Sequence, residues 1–537
     1  MERSHPTGKQ RERAQCPLCH ERVSVDLRSH IVAEHGEEAF RKAVLADKER
    51  GMSDPEIGAR YGISFGTLER ILIEAYGANV SVLKRPKRIR RWQPPDFREE
   101  TTTVWSFKQR GDWATHNGRY RGNWSPYVPR NIILKYSRPG DTVLDYFVGG
   151  GTTAIEAKLL GRRCIAMDIN PGAVGITLEN LRFSPPRGLF GEQDLPLYEP
   201  KVKVGDARDL SDIPDDSIDL ICAHPPYAGI IKYSAKIQGD LSSLTVQGFL
   251  TEMRRVAAES WRVLKPGGKC AILIGDARKS KHVIPVGFQT IQVFLDVGFT
   301  LRELIIKRQH NCRTTGFWYS RSIRYNFLLL AHEYLPVFEK PLDRRVEEER
   351  SRWEYALPHQ STLERIPEVG EEGLETTTVW ILPADRLDAE IKRNLVYRFA
   401  GATGQFVQIR FDGDKPGPLD IPPLQDVQLL FIRSAGSFTR EAFEGYRAAV
   451  KRLVARSREI LPPNGFLVLE GRDFRLGSIV VPAGLLLWED MRHHRDFVLR
   501  DIIIVVPEEA SPQEEPGEHL QIVHRYLLVY RRKEVTP

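Results

Sequence analysis

The chain has 537 residues, of which 41% are hydrophobic and 28% charged, with a net charge of +7. That length exceeds one hydrophobic core, so roughly two to four soluble globular domains are expected. No apolar run approaches the ~20 residues of a membrane-spanning helix, and the opening MERSHPTGKQRERAQ has no apolar leader core, which argues against secretion.

The first element in chain order is CPLCHERVSVDLRSHIVAEH. Cys16 and Cys19 enclose two residues, ten separate Cys19 from His30, and four separate His30 from His35. Two thiolates on a knuckle and two imidazoles one helical turn apart can close a tetrahedron round Zn²⁺, which predicts a Cys2His2 finger over 1–45. Leu27 falls where such a finger buries a leucine; Val23 stands where an aromatic is usual, and His20 is an alternative ligand. The other cysteines, Cys164, Cys222, Cys270 and Cys312, are scattered, as in a reducing cytoplasm, so a cytoplasmic location is expected.

Next, MSDPEIGARYGISFGTLERILIEAYG has a capping Ser53 or Asp54 before Pro55, a turn at Gly62, and apolar residues at helical spacing. It predicts a helix-turn-helix over 46–83, whose second helix, Phe65 to Tyr76, would enter a major groove. An ordinary helical hairpin is the alternative. KRPKRIRR follows, with Lys84, Arg85, Lys87, Arg88, Arg90 and Arg91 on a basic linker over 84–100. Together with Lys307, Arg308 and Arg313 in the basic, aromatic stretch KRQHNCRTTGFWYSRSIR, these are candidate nucleic-acid contacts.

Over 101–340, strands and helices alternate, which predicts a doubly wound α/β sheet. The expected strands are DTVLDYF, RCIAMDI, KVKVGDA, IDLICA, KCAILIGDA and RYNFLLLAHEYLPVF. Residues 341–375 read as a connector. The rest, 376–537, echoes the middle: TTTVW recurs at Thr101 and Thr376, ESWRVLKPGGKCAILIGDAR is echoed by RSREILPPNGFLVLEGRDF, VIPVG by VVPAG, and the closing apolar strand by HRYLLVYRRK. Four echoes in one order predict a duplicated domain.

The chemistry concentrates at strand ends. VLDYFVGGGTTAIEA puts Asp145 at the end of a strand, then a glycine loop and a helix N-terminus with free N–H groups. Asp168 ends the next strand, where an acid meets ribose hydroxyls in this architecture, and Asp206 the third. LICAHPPYAG ends the fourth, with His224 and Tyr227 mounted on the rigid bracket Pro225-Pro226.

These motifs, over roughly Trp105 to Phe338, resemble the S-adenosylmethionine-dependent amino-methyltransferases of DNA, the N4-cytosine and N6-adenine enzymes, in the γ-type motif order. The resemblance implies a Rossmann-like methyltransferase domain, duplicated as a degenerate C-terminal copy. It implies that Asp145, Phe147, Gly149, Gly151 and Thr152 surround the methionine end of the cofactor, that Asp168 holds the ribose and Asp206 the adenine, and that Thr153 and Ala207 also bind the cofactor. NWSPYVPRNIILKYSRPGD is similar to the segment that closes over the methionine moiety. His224, Pro225, Pro226 and Tyr227 would be catalytic: an acceptor side chain and the Pro225 carbonyl grip the hydrogens of a flipped base's exocyclic amine, and Tyr227 stacks on the base. Tyr146 departs from the proline common there, and His224 from aspartate, asparagine or serine.

The implied function is methyl transfer to double-stranded DNA. N4 of cytosine is favoured over N6 of adenine because the motif lacks the acid of many adenine enzymes. A companion restriction or defence protein is compatible with it. The alternatives are an RNA enzyme such as a guanine-N2 methyltransferase, and a non-catalytic DNA-binding regulator on the same scaffold. The C-terminal copy has FIRSAGSF at the place of the catalytic tetrapeptide and no glycine loop between Val379 and Phe431, so it is expected to be inactive.

Overall fold

The structure is a computed structural model describing residues 14–23, 26–50, 52, 54–76, 87–89, 91–95, 97–118, 120, 122–184, 197–227, 237, 239–310, 321–322, 324–342, 360–362, 374–401, 405–411, 427–434, 439–508 and 517–534. Ser53, Lys84, Arg85, Arg90, Cys312, Arg313 and the Ala435–Phe438 part of FIRSAGSF lie outside the described residues, as does most of the 341–375 connector.

At the N-terminus, strands β1 (Ala14–Gln15) and β2 (Arg22–Val23) pair antiparallel, and α1 (Leu27–Glu49) follows with Asp26 capping the Ser29 amide. Gly36, at φ +81°, breaks α1 just after His35. Helices α2 (Asp54–Tyr61) and α3 (Phe65–Tyr76) meet at Gly62, whose φ of +64° allows the tight turn. Cys16, Leu27, Ile31, Phe40, Ile57, Leu68 and Leu72 share one core, so the 1–45 and 46–83 modules pack as one unit.

The middle of the chain forms helices α4 (Tyr127–Tyr136), α5 (Thr152–Leu159), α6 (Pro171–Leu181), α7 (Val246–Val263) and α8 (Val286–Val297) round a sheet. Its strands are β3 (Val104–Trp105), β4 (Thr142–Asp145), β5 (Arg163–Asp168), β6 (Lys201–Val204), β7 (Ile218–Ala223), β8 (Leu264–Ile272), β9 (Thr300–Arg308) and β10 (His332–Glu339). The order is β3-β9-β10-β8-β7-β4-β5-β6. Strands β6, β5, β4, β7 and β8 run parallel, and β10 is inserted antiparallel between β8 and β9. The α/β reading of the sequence is therefore observed, with β3 and β9 as strands additional to those expected.

Two contacts of the N-terminal third bear on its expected modules. α3 packs along α6, so one face of the would-be recognition helix is occupied by the α/β domain. The 84–100 stretch is not a detached linker: Lys87–Arg88 pairs with Phe183–Ser184, and Ile89 is buried in the same core as Trp105. An apolar residue between the basic ones gives that segment a buried face.

The last part contains α9 (Leu387–Leu395), α10 (Arg440–Ile460) and α11 (Ala483–Met491) on strands β11 (Val379–Leu382), β12 (Gln405–Phe411), β13 (Val427–Ser434), β14 (Phe466–Gly471), β15 (Phe497–Pro507) and β16 (Arg525–Arg532). The order β12-β13-β14-β16-β15-β11 has the directions of β4-β7-β8-β10-β9-β3. Beyond β12 the sheet is edged by Gln360–Thr362, which runs antiparallel to it, and parallel strands matching β5 and β6 are absent among the described residues. Local bonds repeat as well: Trp105 Nε1 donates to the Thr102 carbonyl at 2.9 Å and Trp380 Nε1 to that of Thr377 at 3.0 Å.

The two halves meet reciprocally. Thr103 Oγ1 lies 2.8 Å from His524 Nδ1, and Thr378 Oγ1 2.9 Å from His332 Nδ1. The Arg278 guanidinium pairs with Asp501 across the boundary at 2.6 Å, and that of Arg475 with Glu303. Each contact has a mate with the partners' halves exchanged, the arrangement of a two-fold interface. Phe288 on α8 also touches the rings of Trp488 and Tyr526, so one apolar core runs through both halves.

Candidate active site

A cavity opens at the ends of the parallel strands. Glycines 149–151 follow β4 and bring the backbone to its wall. Gly149 has φ +53° and Gly151 φ +86°, and a Cβ on Gly150 would fall 2.3 Å from Asn123. A side chain there would displace the Asn123 amide. Asn123 Oδ1 accepts from the Gly150 amide at 3.1 Å, so the segment before α4 lies over the loop. Buried Glu156 anchors this segment: it accepts from Trp113 Nε1 at 2.6 Å and Arg130 Nη1 at 2.9 Å, and meets His116 Nε2 at 2.6 Å.

Phe147, Gly149, Asp168, Asp206, Ala207, His224 and Pro226 line the cavity together with Tyr120, Asn123 and Trp124. Asp168 accepts from the amides of Gly149 at 3.0 Å and Asn170 at 2.9 Å. Burial pushes its carboxyl up to about 6 against those two N–H groups. Asp206 is held by Arg208, Nη2 to Oδ2 being 2.6 Å; burial would raise its pKa, but the Arg208 hydrogen bonds bring it below the usual carboxylate range. Asp145 sits beneath the loop rather than on the wall, accepting from the Phe147 amide at 3.0 Å, and burial pushes it up to about 7. Thr152 and Thr153 are buried in the first turn of α5 behind Gly151. Carboxylates spaced along a partly apolar cleft, with a close backbone approach, fit an adenosyl-bearing cofactor.

A second, larger cleft meets the first at Gly122, Asn123, Trp124 and His224, which line both. Its other walls include Lys108, Arg110, Pro225, Tyr227, Lys307, Arg308 and Glu333. His224 stacks on Trp124, ring centroids 5.5 Å apart and planes 23° apart. Its Nε2 lies 3.0 Å from the Tyr227 hydroxyl, which donates to Glu333 Oε1 at 2.6 Å; Lys307 Nζ donates to Oε2 at 2.6 Å. Burial lowers the His224 pKa to about 4, with Glu333 opposing and Lys307 adding. Burial would raise the Glu333 pKa, but the Lys307 ammonium is foremost in bringing it down to about 2. Lys307 is thus occupied within the site. Of the other basic candidates, Lys87 and Arg88 lie in the short strand pair, and Arg91 is exposed and paired with Asp112 at 3.0 Å.

Cys16, Cys19, His30 and His35 form a separate cluster, their ligand atoms all within 4.8 Å of one another. Cys19 Sγ lies 3.4 Å from His30 Nε2, and Cys16 Sγ 3.7 Å from His35 Nε2. His20 is outside this group.

Glu333 and Tyr120 were not singled out in the sequence. Asn123 and Trp124 belong to NWSPYVPRN, which points to the covering segment without giving their contacts.

The family model of N6/N4 methyltransferases, described as DNA methylase, matches residues 79–179 and 218–415, more than half of the chain. The chain belongs to this DNA methylase family. Membership agrees with the resemblance that its motifs carry. It is similar to the tRNA (guanine(10)-N2)-dimethyltransferase of Methanothermobacter thermautotrophicus, 30% identical over 36% of this chain and 48% of that protein. It is also similar to the type II methyltransferase M.MthZI of the same organism, 28% identical over 28% of this chain and 48% of that one. The chain spans about half the length of these curated relatives. Among solved structures, a SAM-dependent methyltransferase of Methanosarcina mazei aligns at 18% identity and a TM-score of 0.28, over 40% of this chain and 98% of that one. Among the described residues no helix is long and apolar enough to cross a membrane.

Proposed function

We propose that the chain transfers a methyl group from S-adenosylmethionine to an exocyclic amine of a flipped base in double-stranded DNA, N4 of cytosine being favoured over N6 of adenine. The observation that carries this reading is the meeting of the two clefts at His224 and Trp124. A cofactor in the first cleft and a base in the second would face each other across the His224-Pro-Pro-Tyr227 bracket.

The bound cofactor would supply an electrophilic methyl group and leave as S-adenosylhomocysteine, and the methylated amine then releases its surplus proton to water. The chain's residues supply placement. A base amine is a poor nucleophile because its lone pair is delocalised into the ring. A neutral imidazole at His224 and the Pro225 carbonyl accept its two hydrogens and favour a pyramidal nitrogen. Trp124 holds the imidazole plane, and the prolines set both acceptors before substrate arrives.

Labelled S-adenosylmethionine is expected to transfer tritium to duplex DNA and not to structured RNA. Transfer to RNA alone would favour the guanine-N2 reading, which the likeness to a tRNA methyltransferase supports. Binding of DNA without transfer to either would leave the non-catalytic regulator. One cofactor per chain is expected, and Asp168→Ala should weaken it about tenfold to a hundredfold, the cost of a lost charge-assisted hydrogen bond. Calorimetry that finds two equivalent sites would contradict a single live half.

The C-terminal half reads as an inactive, stabilising copy. Strand pairing aligns Ala223 with Ile432, so Arg433 occupies the place of His224. It pairs with Asp388 at 2.8 Å and with buried Glu470 at 3.0 Å, filling the place an amine would need.

For the N-terminal cluster, the reading is one structural Zn²⁺ held by Cys16, Cys19, His30 and His35. Elemental analysis should find one zinc per chain, and Cys16→Ser should abolish it and loosen the 14–76 unit. Zinc-free protein of unchanged stability would contradict this assignment.

A further inference from the structure

The chain His224–Tyr227–Glu333–Lys307 fixes proton positions. A phenol has one proton, and the Tyr227 hydroxyl lies 2.6 Å from Glu333 Oε1. An ionised carboxylate only accepts, so that proton points to Glu333. Lys307 Nζ, 2.6 Å from the other carboxylate oxygen, keeps the acid ionised. The Tyr227 oxygen then faces His224 Nε2, 3.0 Å away, as an acceptor, so Nε2 carries the imidazole hydrogen. A neutral imidazole has only one N–H. Its Nδ1 is left as a bare lone pair.

We propose that Glu333 is a positioning residue for methyl transfer: through Tyr227 it holds His224 as the Nε2–H tautomer, leaving Nδ1 as the acceptor for the target amine. The inference rests on the amine-holding role of His224 given above.

The internal repeat supports a role in the site rather than in the fold. His332 and Tyr334 flank Glu333, and their hydrogen bonds recur at His524 and Tyr526, Nε2 to OH being 3.0 Å in both halves. Between the repeated pair stands Arg525 instead of the acid, and it pairs with Glu470 at 3.1 Å. The half that has the His-Pro-Pro-Tyr bracket has the carboxylate. The half that lacks the bracket has the opposite charge at that position, in the same strand and register. A purely structural acid would have been as useful in either copy.

Glu333→Gln changes this directly. The Lys307 ammonium competes for the single amide oxygen, which turns the amide NH₂ toward Tyr227. The phenol proton then swings to His224 Nε2, and the imidazole hydrogen moves to Nδ1. Nitrogen chemical shifts of ring-¹⁵N-histidine in the full chain, with His224 assigned by its loss in His224→Asn, read the tautomer without substrate. The parent is expected to show Nε2–H. Glu333→Gln should shift the population toward Nδ1–H and slow single-turnover methylation of duplex DNA by on the order of tenfold to a hundredfold, the scale of one lost hydrogen bond, with KM for DNA little changed. Glu333→Asp, which keeps the charge, should restore part of both. Tyr227→Phe breaks the same chain at its middle and should also release the tautomer, so the test does not depend on one variant folding.

A parent with Nδ1–H overturns the proposal. So does Glu333→Gln that keeps the tautomer, or one that flips it and methylates at the parental rate. A parent with the Nε2–H tautomer that transfers no methyl to DNA or RNA would instead refute the function on which the inference rests.

Discussion

His224→Ala is expected to lower the single-turnover methylation rate by on the order of a hundredfold or more, the scale of losing a placed catalytic group, while S-adenosylmethionine affinity stays near the parental value. The imidazole lines both clefts and is stacked on Trp124, so its loss removes the acceptor and opens the wall between them. His224→Asn restores an acceptor without a titratable group and should retain partial activity. The pH dependence separates the two roles. Only the neutral ring accepts a hydrogen bond, and an exposed histidine would lose that state near ~6.5. Burial lowers His224 to about 4, so the acid limb belonging to this residue should lie near pH 4 and vanish in His224→Asn. Stability moves with the same group. Between pH 4 and ~6.5 the unfolded chain binds the proton more readily than the folded one, so the stabilisation is complete above ~6.5 and is lost as pH falls toward 4. Alanine at 224 with the parental rate would show the imidazole to be structural.

The site was legible in the sequence wherever chemistry follows chain order. A glycine loop directly after a strand, Asp168 at the next strand end, and His224 to Tyr227 at the fourth each need only local geometry to be placed. Contacts across the sheet were not legible. Glu333 lies 106 residues beyond Tyr227 and reads as one charge in an apolar strand. It reaches the site because β10 inserts antiparallel between β8 and β9, which also brings Lys307 to it. Charge sign alone misdirects in the same way: Lys307 and Arg91 were legible as basic, but not as partners of Glu333 and Asp112. Asp145 shows a further limit. Its position at a strand end is readable, but whether its carboxylate lines the cavity or braces the loop from beneath depends on side-chain direction.

The internal echoes lead to the expectation of a duplication but say nothing of how the two halves pack, and this packing carries the second large expected effect. Arg475→Ala should destabilise the protein by roughly 3–5 kcal/mol, the cost of stranding a buried charge. Arg475 binds Glu303, which is fully buried, and also donates to the carbonyls of Arg302 at 2.9 Å and Leu520 at 3.0 Å. Burial raises the Glu303 pKa and Arg475 opposes that, so removing the guanidinium leaves the carboxyl with only the Leu520 amide at 3.2 Å and His519 at 3.6 Å and favours its protonation. The deficit relative to the parent should therefore be greatest at neutral pH and shrink as pH falls and the acid neutralises. Arg278→Ala is the mate of this change. It leaves Asp501, 1% exposed, with the longer 3.9 Å pairing to Arg500 and removes a bond to the Arg500 carbonyl, so a somewhat smaller loss is expected. Replacing both partners of one pair with apolar residues, Arg475→Met with Glu303→Leu, should recover most of the stability, because the cost lies in the orphaned charge. Calorimetry should show the halves melting in one transition, since Phe288 of one half packs against Trp488 and Tyr526 of the other. Losses below ~1 kcal/mol, the level of an exposed pair, in both single variants would mean that these ion pairs are solvated and that the reciprocal interface is not what joins the halves.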